Sequence, residues 1–349
     1  MDEAVIAERG GFRTRAELMR EAVENLLNEL DFPEAPSVEI PDLRPAERAP
    51  DVERTPAPQV EGDLTLGLEE RERDELNLPD LLATALRAPE EEPQLLAGGS
   101  ATVRDEPLLG LHSRDYVSIW ALHRLARYTL EGLIDFDGYL DRVTRVAWYF
   151  GHQLRRLERE EQGRKLTVLF PTNLAKRPSA ERGFQHFAVG SLTRKGDRDS
   201  LSAAGPLFAW HAVQATAGES IATGLTSHGL RLLRELDGIS LELPHPPALA
   251  RRFLAYLAEH APGDRWGFDQ VLQVAADAPG REELVRHFAE QHPEWTAAIA
   301  GSVAQGYVAR AREWGLLEPR LVDGRYWLTE TGRALARDTD EIVPEGKKE

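Results

Sequence analysis

The sequence predicts a mainly α-helical protein of the α+β class, with small β-hairpins set between helices. Three observations carry that expectation. Tyr139, Val143, Val146, Phe150, Leu154 and Leu157 recur at spacings of three and four, the stripe of an amphipathic helix. Asp323-Gly324 lies between two apolar-containing runs, the strongest local signal for a hairpin turn. An acidic stretch, 31–107, holds eleven of the 22 prolines and divides a short helical N-terminus from the rest.

Composition narrows the function classes. The chain has 349 residues, 42% of them hydrophobic, with seven Trp, enough for two or three domains with cores. The net charge of −17 is uneven: −3 over 1–30, −13 over 31–107 and −1 over 108–349. The acidity that would argue against a nucleic-acid partner therefore sits mainly in one segment. No apolar run approaches a membrane span of about eighteen residues. Met1-Asp2-Glu3-Ala4 lacks the basic and apolar regions of a signal peptide. The absence of Cys excludes disulfides and thiolate metal sites and fits a cytoplasmic protein.

At the N-terminus, Asp2 to Glu8 reads as a short helix, broken by Gly10-Gly11. Phe12-Arg13-Thr14-Arg15-Ala16-Glu17 then opens a second helix. Thr14 with Glu17 forms a capping box, and Leu18, Ala22 and Leu26 make an apolar stripe. This resembles the ribbon-helix-helix family, whose second helix opens with an aromatic, Ser or Thr, Arg, a small residue and Glu. The family's reading strand has no room here, since the first helix begins almost at Met1. Either the start codon is misassigned or 1–30 is a dimerisation hairpin without that strand. The resemblance implies a homodimer, with Thr14 and Arg15 near a phosphate at the helix N-terminus and Arg13 beside them.

Residues 31–107 read as an extended, mostly disordered linker that cannot bury enough apolar surface to offset its ordering entropy. One island, Asp74 to Leu86, carries Leu76, Leu78, Leu81, Leu82 and Leu86 at helical spacing, a possible dock for a partner protein. The domain 108–243 begins with a helix from Arg114 to Glu131, capped by Ser113 or Asp115, followed by a longer one from Asp137 to Glu161. Leu166–Phe170 and Pro206–Val213 read as strands. Between them Lys176, Arg177, Arg182, Arg194, Lys195 and Arg198 form a basic cluster with few acids, the kind that neutralises phosphates; Arg182, Arg194, Lys195 and Arg198 are DNA-contacting candidates.

An internal echo follows. Leu225-Thr226-Ser227-His228-Gly229 and Leu328-Thr329-Glu330-Thr331-Gly332 share Leu-Thr-x-x-Gly entering a helix. Past the Pro244–Pro247 joint, helices are expected at Ala248–His260, Trp266–Ala276, Arg281–Gln291 and Trp295–Trp314. Gly315-Leu-Leu ends the last of these, the Asp323-Gly324 hairpin follows, and Thr329 caps the next helix. Helix, hairpin and capped helix in that order resemble the winged-helix family, and by the echo 108–243 resembles a first winged-helix-like domain before a second at 244–338. Residues 339–349 read as a polar tail. The resemblance makes Trp295–Trp314 the recognition helix, with Ser302, Gln305, Arg310 and Arg312 as its polar members, and leaves Arg320 and Arg325 flanking the hairpin to hold phosphates or reach a minor groove.

No phosphate-binding loop, Gly-x-Ser-x-Gly or His-Glu-x-x-His motif occurs, and no metal, cofactor or catalytic residue is expected. The sequence thus points to a non-enzymatic protein binding double-stranded DNA, a transcriptional regulator or a DNA-binding subunit of a larger system. The alternative is a winged-helix protein–protein adaptor in a defence or mobile-element complex. A third reading is a regulator whose Trp and Tyr residues line a pocket for a small ligand.

Overall fold

The computed structural model describes residues 82–160, 166–194 and 200–342, all within one compact unit, Glu70–Glu349. The expected N-terminal hairpin with Arg13, Thr14 and Arg15, the first part of the linker and most of the 74–86 island lie outside the described residues, as do Lys195 and Arg198. The described chain is mainly helical with two sheets of three strands each, an α+β protein. No described helix is long and apolar enough to cross a membrane.

The first half opens with β1 (Ala101–Val103), then α1 (Asp115–Tyr128), β2 (Ile134–Asp135) and α2 (Phe136–Glu160). A 3-10 turn, Leu174–Lys176, leads into α3 (Arg177–Phe184) and a π turn, Gln185–Val189. The hairpin β3 (Ser191–Arg194) and β4 (Leu201–Ala204) follows, then α4 (Pro206–Ala209), the hairpin β5 (Val213–Thr216) and β6 (Ala222–Leu225), and α5 (Ser227–Glu235). The second half is α6 (Pro247–His260), α7 (Pro262–Ala275), α8 (Arg281–Gln291), α9 (Ala297–Glu313), a short hairpin and α10 (Glu330–Ile342). One sheet runs β1-β4-β3, with β1 parallel to β4; the other runs β2-β6-β5 and is antiparallel.

The two halves share an order. After α1, β2 pairs with β6, the returning arm of the β5–β6 hairpin, at Ile134↔Thr223. After α7, Gly280 bridges Arg325 on the returning arm of the second hairpin, whose arms meet at Leu317↔Leu328. The base of each hairpin has the same construction. The preceding helix ends at a buried Trp, Trp210 or Trp314, and the next residue is left-handed, His211 at φ 52° and Gly315 at φ 65°. Thr226 accepts from the Gly229 N–H at 3.0 Å and donates to the His211 carbonyl at 2.6 Å. Thr329 accepts from the Gly332 N–H at 3.0 Å and donates to the Gly315 carbonyl at 2.5 Å. Both glycines are required by close approach: a Cβ would lie 2.0 Å from the Ala212 oxygen or 2.1 Å from the Leu316 oxygen. The Leu-Thr-x-x-Gly echo therefore marks one repeated joint, a threonine stitching hairpin to helix.

Several expectations are corrected. The linker does not extend to 107: Leu82 is buried, Leu86 and Gly238 exchange backbone hydrogen bonds with Ile239 and Leu86, and Leu96 N–H donates to the Leu225 carbonyl. Unsatisfied edge groups of both sheets hold this stretch despite its prolines and acids. Leu166–Phe170 is no strand; it turns at Leu169 with φ 68°, and Glu158 accepts the Leu166 and Thr167 N–H groups. Pro206–Val213 is α4 followed by the start of β5, since Pro at the first turn supports a helix. The expected break at 243/244 separates no independent bodies: Glu70–Glu349 is one unit. Gly110 lies against Ser302 and Gly306 of α9 so closely that no Cβ would fit. Helix α10 runs to Ile342, beyond the expected start of the tail. Most of the Trp and Tyr residues pack in the interior: Trp120, Trp148, Trp210, Trp314, Tyr116, Tyr139, Tyr256 and Tyr307 are buried.

Candidate nucleic-acid interface

The expected recognition helix, α9, is a core element. Val303, Ala304, Gly306, Tyr307, Val308, Arg310, Ala311 and Glu313 are buried. Arg310, expected to read DNA, is wholly buried. Its Nη1 and Nη2 donate to Asp264 at 2.6 and 2.7 Å, and its Nε donates to Asp115 at 2.8 Å. A guanidinium spent on two internal carboxylates cannot reach a base edge, so its assignment as a DNA-binding residue is wrong. The Ser302 hydroxyl is also buried. Gln305 donates to the Tyr326 hydroxyl at 3.3 Å. Arg312 donates to the Glu318 carbonyl at 3.2 Å and lies 5.5 Å from the Tyr326 ring centre; burial holds its guanidinium below the usual arginine range. Gln305 and Arg312 thus tie α9 to its surroundings. At the start of the helix, Ala297 and Ala298 are exposed but carry nothing that reads a base.

The basic residues of the first half stand differently. The 3-10 turn presents Lys176, and α3 opens with Arg177 and Pro178, all exposed. Arg182 is half-buried on the same helix. The acid among them, Glu181, accepts from Arg177 of the same face at 2.8 Å and from the Trp148 indole at 3.0 Å. Arg155 of α2 donates to the Thr172 carbonyl at 2.9 Å and so borders this face. Arg194, exposed on β3, reaches the Gly218 carbonyl at the β5–β6 turn at 3.1 Å. On the second hairpin Arg320 and Arg325 are exposed, beside exposed Leu321, Val322 and Trp327. Arg325 also donates to the Ala278 carbonyl at 2.8 Å.

Between the halves lies a buried polar seam. Trp210 donates its indole N–H to Asp264 at 2.8 Å, and Trp314 donates to Asp115 at 2.7 Å. Asp115 opens α1 and Asp264 lies in the first turn of α7, and the tryptophans end the helical segment before each hairpin. His112 places one ring nitrogen 2.8 Å from Asp115 and the other 2.5 Å from the Phe187 carbonyl. Tyr307 donates to Asp264 at 2.7 Å and accepts from the Leu108 N–H at 3.0 Å. Glu313 accepts the N–H groups of Asp115 and Tyr116 at 2.6 and 3.0 Å, so a remote carboxylate caps α1 where Ser113 or Asp115 was expected. Phe253 packs against both tryptophans. Burial alone would raise the Asp115 carboxyl; the Arg310 charge and hydrogen bonds from His112 and Trp314 outweigh it and hold it below the usual range. Burial opposes the charge on Arg310, but Asp115 and Asp264 more than offset it and raise its pKa.

The sequence missed Asp115, Asp264 and Trp210 as partners. A signal was present: each Trp precedes a left-handed residue and then its own Leu-Thr-x-x-Gly. Among the described residues, no three His, Asp or Glu side chains converge as a metal site. Comparison with known proteins finds no matching family model, curated relative or solved structure.

Proposed function

We propose that the chain is a non-enzymatic protein that binds double-stranded DNA through winged-helix modules, with its main phosphate-contacting face on the first. The order α1, β2, α2, a later helix and the β5–β6 hairpin, with β2 paired to β6, supports the winged-helix reading of the first half, and in the second half the bridges Gly280↔Arg325 and Leu317↔Leu328 stand in the same places between and after its helices. The observation that carries the binding proposal is the exposed basic edge of α3, Lys176 and Arg177, with Arg182 on the same helix and the nearby acid, Glu181, shared between Arg177 and the Trp148 indole. Such clusters neutralise phosphates and release counterions. This moves the interface off α9. Binding of fluorescent duplex DNA across a salt series tests it: Lys176→Ala with Arg177→Ala should lower affinity about tenfold and flatten the log–log salt slope by roughly two. An unchanged slope sinks the assignment.

A second reading, a protein–protein adaptor, is favoured by the hairpin, where Leu321, Val322 and Trp327 are 44, 48 and 43% exposed. Exposed apolar side chains grouped on one projection suit a protein partner better than a phosphate backbone. A wild-type protein whose duplex binding is absent at low salt would favour the adaptor.

A further inference from the structure

Three features of the seam belong together. The contacts across it are reciprocal: the Trp of the first half binds the Asp of the second, and the Trp of the second binds the Asp of the first. Equivalent elements supply them, the start of α1 or α7 and the residue ending α4 or α9. The joints beyond the seam repeat as well, Thr226 with Gly229 and Thr329 with Gly332. Reciprocity of this kind, residue i to j and j to i, is what a two-fold interface between identical subunits produces. The halves are unequal elsewhere. The first carries the inserted β3–β4 hairpin, and Arg310 sits between both acids where the corresponding turn of α4 begins with Pro206.

We infer that one chain contains two winged modules paired about this internal seam, and that it occupies two successive segments of one duplex, as two protomers of a dimer would. The inference rests on the DNA-binding reading and deepens it. The seam consumes the same elements of each module, so it leaves each module's hairpin free of it. Two-fold DNA-binding dimers present paired elements to sites about one helical turn apart. Here the first module brings its basic α3 edge and the second brings Arg320 and Arg325 on its hairpin. Buried ion pairs and indole hydrogen bonds fix the spacing, so the second contact follows the first without a flexible tether between them.

The test is binding of the full-length protein to fluorescent random-sequence duplexes of about one and about two helical turns, roughly 10 and 21 base pairs, at one moderate salt concentration. The longer duplex is expected to bind roughly a hundredfold tighter. Arg320→Ala with Arg325→Ala should reduce that gain to a few-fold. Arg325 also holds the Ala278 carbonyl, so exposed Arg320→Ala is run alone as the fold-safe variant and should lose part of the gain. Equal wild-type affinity for the two lengths, or a gain that survives both variants, overturns the pairing. Failure to bind either duplex overturns the DNA-binding reading itself, and the pairing with it.

Discussion

Arg310 meets Asp264 through two parallel hydrogen bonds, from Nη1 to Oδ1 at 2.6 Å and from Nη2 to Oδ2 at 2.7 Å, with neither side chain more than 1% exposed. Its remaining fork atom, Nε, holds Asp115. A planar guanidinium is suited to serving two carboxylates at once, whereas an ammonium is a single point charge. One cation therefore joins α1 to α7, and Trp210 and Trp314 also donate to the two acids.

Arg310→Met should destabilise the protein by about 3–5 kcal/mol, the cost of leaving buried carboxylates without their partner. Arg310→Lys should recover little of it, because lysine cannot form the fork. Urea unfolding followed by Trp fluorescence measures both. A Lys variant as stable as the parent would show that charge alone, without geometry, holds the seam. Loss of DNA affinity in these variants would report folding, not contact.

Acid should open the same seam. The Asp115 carboxyl titrates below its ordinary 3.8 in the folded protein, so the folded state binds this proton more weakly than the unfolded chain. The associated stability is present above the ordinary value and is lost as pH falls through the lowered one. Urea midpoints taken at about pH 6 and about pH 3 should differ more for the parent than for Asp115→Asn, which has no such carboxyl. Equal pH sensitivity of the two proteins would remove Asp115 from the account.

The repeated joint makes an ordered prediction. Thr329→Ala removes a cap and should cost about 1–2 kcal/mol. Gly332→Ala forces a Cβ against the Leu316 oxygen and should cost more, about 2–3 kcal/mol. Thr226→Ala and Gly229→Ala should rank the same way, since the distances match. Thermal melts of the four single variants check it, and a reversed rank at either joint breaks the equivalence of the halves.

The elements that sequence reasoning placed well are those whose cause is local. The stripe from Tyr139 to Leu154 buries as periodicity dictates, and each threonine cap is written in four consecutive residues. Arg310 shows what is not local. In sequence it matches an exposed recognition-helix arginine; its partners stand 46 and 195 positions away, and nothing in the spacing announces them. Residues 82–107 failed for a related reason. Composition registered their prolines and acids, but the sheet edges that hold them come from elsewhere in the chain. Phe208-Ala209-Trp210 is apolar enough for a strand or a buried helix, and such short runs are decided by tertiary packing.

Helix N-termini supply the last prediction. Both α1 and α7 are capped by a carboxylate from outside the helix: Glu313 takes the Asp115 and Tyr116 N–H groups, and Asp105 takes the Gly263 N–H at 2.6 Å. The contacts are chemically alike, but Glu313 is buried and Asp105 exposed. At exposed Asp105 the Asn oxygen of Asp105→Asn can still accept the Gly263 N–H and only the charge is lost, so the change should cost only a few tenths of a kcal/mol up to about 1. At Glu313 no water takes over; the Glu313→Gln amide keeps one accepting oxygen but turns its NH2 toward the other of the two N–H groups, a cost of about 1–3 kcal/mol. Denaturant midpoints of the two variants decide the matter. Similar losses would mean that burial at the start of α1 adds nothing to the cap.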